Sequence, residues 1–309
     1  MIAYSVFDDF PKSASELLEK NNIKVILHPK GKERPCGNEL KKLIDEYDII
    51  IISTAQKITE NMLKNTPPCK KIIATASIGT DHISIPDDKK NIIKVVNAPN
   101  ANKISVAEHI FGLIIALKKQ FIDGKITAAL GKNKKEMRYK PHDLYGLTIG
   151  IIGAGGTAGA VLKMAKAFGM ERISWTRNPE KHTDLSDDGV VFTELDELIK
   201  SSDIISLNLP YTPETEGIIS ASRINNMKNN AVFISVSRSE LTDNAHLFKK
   251  ARDNDCFCIG MDVDADKVFG MWNENMKNVI VTPHIAGGTV EARIRMFNEV
   301  STNILLQNW

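Results

Sequence analysis

The chain has 309 residues, 42% of them hydrophobic and 25% charged, which suits a globular protein of two domains at about 100–200 residues each. Its 40 basic and 38 acidic residues leave a formal net charge of +2, a balance that gives no reason to expect nucleic acid or an anionic membrane as partner. No uninterrupted apolar run reaches membrane-spanning length, and IAYSVF opens as a strand with no charged lead or cleavage site, so no secretory signal is expected.

Cys36, Cys69, Cys256 and Cys258 are scattered without a C-x-x-C pair, which argues against zinc or a disulfide scaffold and for a reducing, cytoplasmic setting. Cys256 and Cys258 alternate with Phe257 in an apolar run, so both are expected on one side of a buried strand.

From Met1 to about Val96, short apolar runs alternate with helical segments: IAYSVF, SASELLEK, VILH, NELKKLIDEY, DIIIIST, ITENMLKN, KKIIATAS. Repeated β-α of this kind predicts a parallel sheet with covering helices. Ligands of such sheets sit beyond the carboxyl ends of strands, which singles out Ser53 to Ala55 and Ser77, Ile78 and Gly79. ASIGTDHI can present successive N–H groups around Gly79 to a carboxylate; a plain glycine turn fits the same letters.

At Asn97–Lys119 the character changes. Pro99 ends an extended segment, and Val106, Ile110, Leu113, Ile114 and Leu117 take helical spacing, which places a domain crossover here. Gln120–Tyr145 is polar, a candidate subunit-contact arm, and its basic run Lys132–Lys140 reads as a solvated surface.

Leu147–Met170, LTIGIIGAGGTAGAVLKMAKAFGM, reads as strand, glycine turn and helix. Gly153 and Gly155 fill the first two positions of a G-x-G-x-x-G/A pattern and Ala158 the third. Gly156 and Thr157 complete a turn whose backbone can approach a pyrophosphate, with its charge stabilised by the following helix N-terminus. Both flanking elements are legible, so the reading is a dinucleotide site and not a chance glycine cluster.

The next strand, RISWT, ends at Thr176 and Arg177, where a site for NAD generally carries Asp or Glu on the ribose hydroxyls. A neutral residue and a guanidinium instead favour the 2′-phosphate of NADP, although Arg177 could also lie along the adenine of NAD. Further strands are expected to end at Asn208, Ser237, Asp262 and Thr282 and to gather around the nicotinamide half of the cofactor. A final helix is expected over Val290–Trp309, returning to the first domain.

Two residues past those ends carry chemistry. Arg238 follows the apolar run VFISVS, where an arginine is costly unless it pairs with an anion. His284 follows VIVTP and can exchange a proton at the sheet's edge. The chain has six other histidines, His28, His82, His109, His142, His182 and His246, and position alone selects among them.

Through ASIGTDHI, NAPNANKISVAEH, GIIGAGGTAG, LPYTPETEG, VSRSELTD, GMDV and TPHIAGGT, in that order, the chain resembles the D-isomer-specific 2-hydroxyacid dehydrogenase family over nearly its whole length. The resemblance implies two Rossmann-like parallel-sheet domains of the α/β class with the active site in their cleft. Residues 1–97 and 286–309 would form a discontinuous substrate domain, and residues 98–285 an NAD(P)-binding domain through which homodimers form. It implies a small 2-keto or 2-hydroxy acid substrate and no metal. His284 would protonate the carbonyl oxygen, and Arg238 would bind the carboxylate opposite Ile78 and Gly79. Ser237, Pro210 and Thr215 would line the cofactor, and Asp262 would meet the nicotinamide amide.

One departure stands out. The family's glutamate partner of the histidine is missing from DVDADKVFG: without a gap Lys267 takes its place, whereas a one-residue deletion would bring in Asp266 as the stand-in. The same departure motivates an alternative, a weak or inactive nucleotide-responsive binding protein on this scaffold. Family phosphoglycerate enzymes usually have arginine near Ser53 and a C-terminal extension, so glyoxylate, hydroxypyruvate or an apolar analogue is the expected substrate.

Overall fold

The computed structural model describes residues 1–137 and 140–307. Arg138 and Tyr139 of the expected surface run, and Asn308 and Trp309 of the expected last helix, lie outside the described residues. Lys132–Glu136 of that run is exposed.

The chain divides into two compact units, Met1–Asn102 with Gly288–Trp309, and Lys103–Gly287. The first holds five strands: β1 (Ile2–Ser5), β2 (Lys24–Leu27), β3 (Ile49–Ile52), β4 (Lys71–Thr75) and β5 (Ile93–Val96). All pair in parallel, in the order β2-β1-β3-β4-β5. The four isoleucines of β3 are all buried, as expected of a central strand covered on both faces. The last helix, Val290–Leu305, packs Phe297, Val300 and Ile304 into this unit's core with Phe7, Phe10 and Leu18.

The second unit holds β6 (Thr148–Ile152), β7 (Glu171–Trp175), β8 (Val191–Phe192), β9 (Ile204–Leu207), β10 (Val232–Ser235), β11 (Cys258–Asp262) and β12 (Val279–Thr282). Its seven-stranded sheet runs β12-β11-β10-β9-β6-β7-β8, again with parallel pairs. Side chains alternate between its faces: Val232 and Ile234 of β10 join one apolar cluster with Ile149 and Ile151, and Phe233 joins another with Ile152 and Ile205. Both sheets therefore bury both faces, the α/β architecture expected from the alternating pattern.

Cys256 corrects an expectation. It is exposed in the turn before β11 while Cys258 is buried in the strand, because the hydrogen bond from the Phe257 N–H to the Asn254 carbonyl closes a turn that delays the strand until Cys258. Burial pushes the Cys258 thiol up to about 11.

Candidate active site

Because every strand of the second unit runs the same way, all its carboxyl ends share one edge. The sheet's order reverses between β6 and β9, and crevices for ligands lie at such reversals. The glycine turn leaves β6 at that point. Gly153 has a φ of +117°, and a Cβ there would stand 2.7 Å from the Asn208 carbonyl oxygen, so only glycine fits.

Gly155 precedes the helix Gly156–Ala167 without any side-chain cap, and a Cβ placed on it meets nothing within 4 Å. Among the described residues, the first-turn N–H groups of Gly156, Thr157 and Ala158 donate to no acceptor, and the turn carries no acidic side chain. An open, uncapped, positive helix end suits a pyrophosphate. The residues present therefore fit a dinucleotide.

Thr176 and Arg177 follow β7, half-buried and exposed respectively. The Thr212 hydroxyl holds the Glu214 carboxyl below its ordinary value, with Arg177 adding to the effect, so Arg177 already feels one anion. The loop after β9 is tied by a buried Thr215: its hydroxyl donates to the Pro210 carbonyl at 2.8 Å and accepts from the Thr212 N–H at 2.8 Å. Ser237, just past β10, donates to the Leu207 carbonyl at 3.1 Å.

Arg238 and His284 leave β10 and β12, the two neighbours of β11, along one edge of the sheet. Arg238 is half-buried, and its Nη1 donates to the Ser237 carbonyl at 3.5 Å. His284 has a φ of +53°, a left-handed conformation uncommon for a residue with a side chain.

Asp262 explains how that conformation is held. Its buried carboxylate accepts from the Ile285 N–H at 2.8 Å, the Ala286 N–H at 2.7 Å and the Thr282 hydroxyl at 2.5 Å. With the Thr282 proton given to Asp262, the hydroxyl accepts from His109 Nε2 at 3.0 Å, which fixes the tautomer of His109. Sequence reasoning passed over His109 and assigned Asp262 only to the cofactor; the structure adds a loop anchor beneath His284.

The carboxylate against His284 is that of Asp264, with Oδ1 3.0 Å from Nδ1, and not that of Asp266. The cause is register. Asp262 of β11 pairs with Thr282 of β12, so the residues two steps beyond each, Asp264 and His284, come level. A short 3-10 turn, Ala265–Val268, then carries Asp266 onward, and Lys267 reaches Glu240 at 3.5 Å. A hydrogen bond from Nδ1–H to Asp264 leaves Nε2 as the ring atom that could exchange a proton.

In the first unit, the turn after β4 ties down its carbonyls and leaves its donors free. Asn97 donates to the Ile78 carbonyl at 2.6 Å and Ser77 to the Gly79 carbonyl at 2.7 Å. Among the described residues the N–H groups of Ile78 and Gly79 find no acceptor. Neither a group of three or more metal-binding side chains nor a helix able to cross a membrane occurs among the described residues.

Residues 111–286 match the model of the D-isomer-specific 2-hydroxyacid dehydrogenase NAD-binding domain. The chain is 33% identical to the hydroxypyruvate reductase of Thermotoga maritima over 97% of its own length and 96% of that protein's. Among solved structures it resembles the D-lactate dehydrogenase of Aquifex aeolicus complexed with NAD and lactic acid, at a TM-score of 0.80 and 28% identity, covering 99% of this chain and 94% of that one. An acyclic imino acid reductase in complex with NADPH and D-arginine matches at a TM-score of 0.84 and 26% identity, covering 99% and 96%.

Proposed function

The chain belongs to the D-isomer-specific 2-hydroxyacid dehydrogenase family, nicotinamide-dependent oxidoreductases acting on CH–OH donors, and we propose that it reduces a small 2-keto acid with His284 as the proton donor and NADPH as the preferred cofactor. The observation that carries this reading is the His284–Asp264 pair on the same sheet edge as Arg238 and the glycine turn.

When bound, the nicotinamide cofactor supplies the hydride that reduces the keto carbon. The guanidinium of Arg238 binds the substrate carboxylate in a two-point fork and draws electron density from the adjacent carbonyl. His284 Nε2 delivers the proton that the carbonyl oxygen takes up, while Asp264 holds Nδ1–H and fixes the orientation of the ring. Asp262 keeps the histidine loop in place, and the N–H groups of Ile78 and Gly79 serve as carboxylate donors. In the oxidative direction the same histidine accepts the hydroxyl proton.

NADP is favoured by Thr176 and Arg177 in place of an acidic residue after β7. Four unpaired cysteines support a reducing, cytoplasmic setting. Exposed Phe121, Leu130 and Tyr145 support a homodimer through the nucleotide-binding unit. The test is nicotinamide oxidation by the purified protein given glyoxylate or hydroxypyruvate; no turnover across a panel of small keto acids would refute the reading.

A further inference from the structure

The first unit's sheet has its own reversal of strand order, between β1 and β3. A cavity of about 270 Å³ opens there, at the carboxyl edge where ligands of such sheets collect. Phe7 follows β1, Thr54 follows β3 and Ala76 follows β4, and all three line it. Phe297 of the last helix closes an aromatic wall with Phe7, their ring centroids 4.8 Å apart.

Two guanidiniums line the same cavity. Arg34 lies 4.8 Å and Arg293 5.4 Å from the centroid of the Phe7 ring. Arg293 pairs with Asp9 at 2.5 Å. Arg34 has no acidic partner among the described residues, and no acidic side chain lines the cavity. A guanidinium lying against an aromatic face keeps its N–H edge free for a planar anion. The cavity thus sets an aromatic wall beside the polar Ser53 and Thr54 and ends in the exposed Arg34 fork, a lining that suits a short carbon chain with an anionic end.

Ala76 of the cavity precedes Ile78 by two residues in the chain, and to Ile78 the proposed function assigns the substrate's first carboxylate. We propose, resting on that assignment, that the Arg34–Arg293 cavity receives a second, distal anionic group, so that the preferred substrate is a 2-keto acid with a distal carboxylate or phosphate. Apolar acids of equal length lose the contact with Arg34, while those as short as glyoxylate have no group to place there.

The test compares 2-oxoglutarate with 2-oxovalerate, which has the same carbon count and no second carboxylate, and includes 3-phosphohydroxypyruvate as the phosphate arm. The wild-type enzyme is expected to favour at least one dianionic acid in kcat/KM. Arg34→Gln is expected to cut that preference roughly 10- to 100-fold, as loss of a hydrogen-bonded charge should; the arm with the larger loss identifies the anion. Equal use of 2-oxovalerate and both dianionic acids, or a preference untouched by Arg34→Gln, overturns the proposal. Should none of the acids turn over, the proposed reaction fails by itself, and calorimetric binding decides this point. Binding of 2-oxoglutarate or 3-phosphohydroxypyruvate weakened by Arg34→Gln sustains the cavity; no binding of either, or binding unchanged by the substitution, refutes it.

Discussion

Nδ1 of His284 lies 3.0 Å from Oδ1 of Asp264, and each residue stands two positions beyond one member of the cross-strand pair Asp262 and Thr282. The pair answers the difficulty posed by the missing glutamate, since parallel register delivers a carboxylate that a linear comparison with the family pattern does not. Asp264→Asn is expected to lower kcat by about tenfold or more, because the ring loses the carboxylate that holds Nδ1–H. Asp266→Asn should stay within about twofold, as befits an exposed residue one turn away. Initial rates of the two variants check this, and the reverse ranking would restore Asp266 as the partner.

Asp262 acts at one remove from the proton. Replacing it with alanine strands two backbone N–H groups and the Thr282 hydroxyl, and should cost about 2–3 kcal/mol of unfolding free energy. The left-handed conformation of His284 loses its anchor in the same step, so kcat should fall together with the urea midpoint. His109→Gln, two bonds further along the network, is expected to show a weaker version of both effects.

Under the proposed preference for NADPH, Arg177 is the residue that separates the two cofactors. Its replacement by alanine should raise the KM for NADPH by about tenfold and leave that for NADH little changed, since only the former carries a 2′-phosphate for the guanidinium to hold. Steady-state kinetics with both cofactors decide it; an equal effect on the two would assign Arg177 to the adenine face.

Asp188 gives a pH dependence in stability. The Lys166 ammonium, followed by the Arg172 guanidinium, holds its carboxyl down at about 2. Its folded value lies below the unfolded value of about 4, so the stabilisation is complete above about pH 4 and fades as pH falls through about 2. The difference in Tm between wild type and Asp188→Asn should therefore be present at neutral pH and shrink across that acid window. A difference that is constant with pH would contradict the ion-pair explanation.

The glycine turn and the strands bearing Arg238 and His284 were legible because each is a local pattern: an apolar run followed within a few residues by the candidate group. Asp264 was not, because what selects it over Asp266 is the pairing of β11 with β12, a relation between segments that no local spacing encodes. The signal was nonetheless present, in the equal two-residue offsets of MDVD and VTPH from their strand ends. Cys256 was misplaced because a turn and a strand share the same alternation over three residues. Arg34 and Arg293 sit at opposite ends of the chain and meet on one ring only through the packing of the last helix against Phe7.

Under the proposed function, His284 moves the proton of a keto acid reduction. Its most direct test is the rate of NADPH oxidation by wild type and His284→Ala with hydroxypyruvate, each variant confirmed to bind the nucleotide. Turnover by the wild type and a loss of about 100-fold or more in kcat for His284→Ala are expected. Equal rates in the two proteins, or a wild type that binds NADPH and reduces no keto acid, would contradict it.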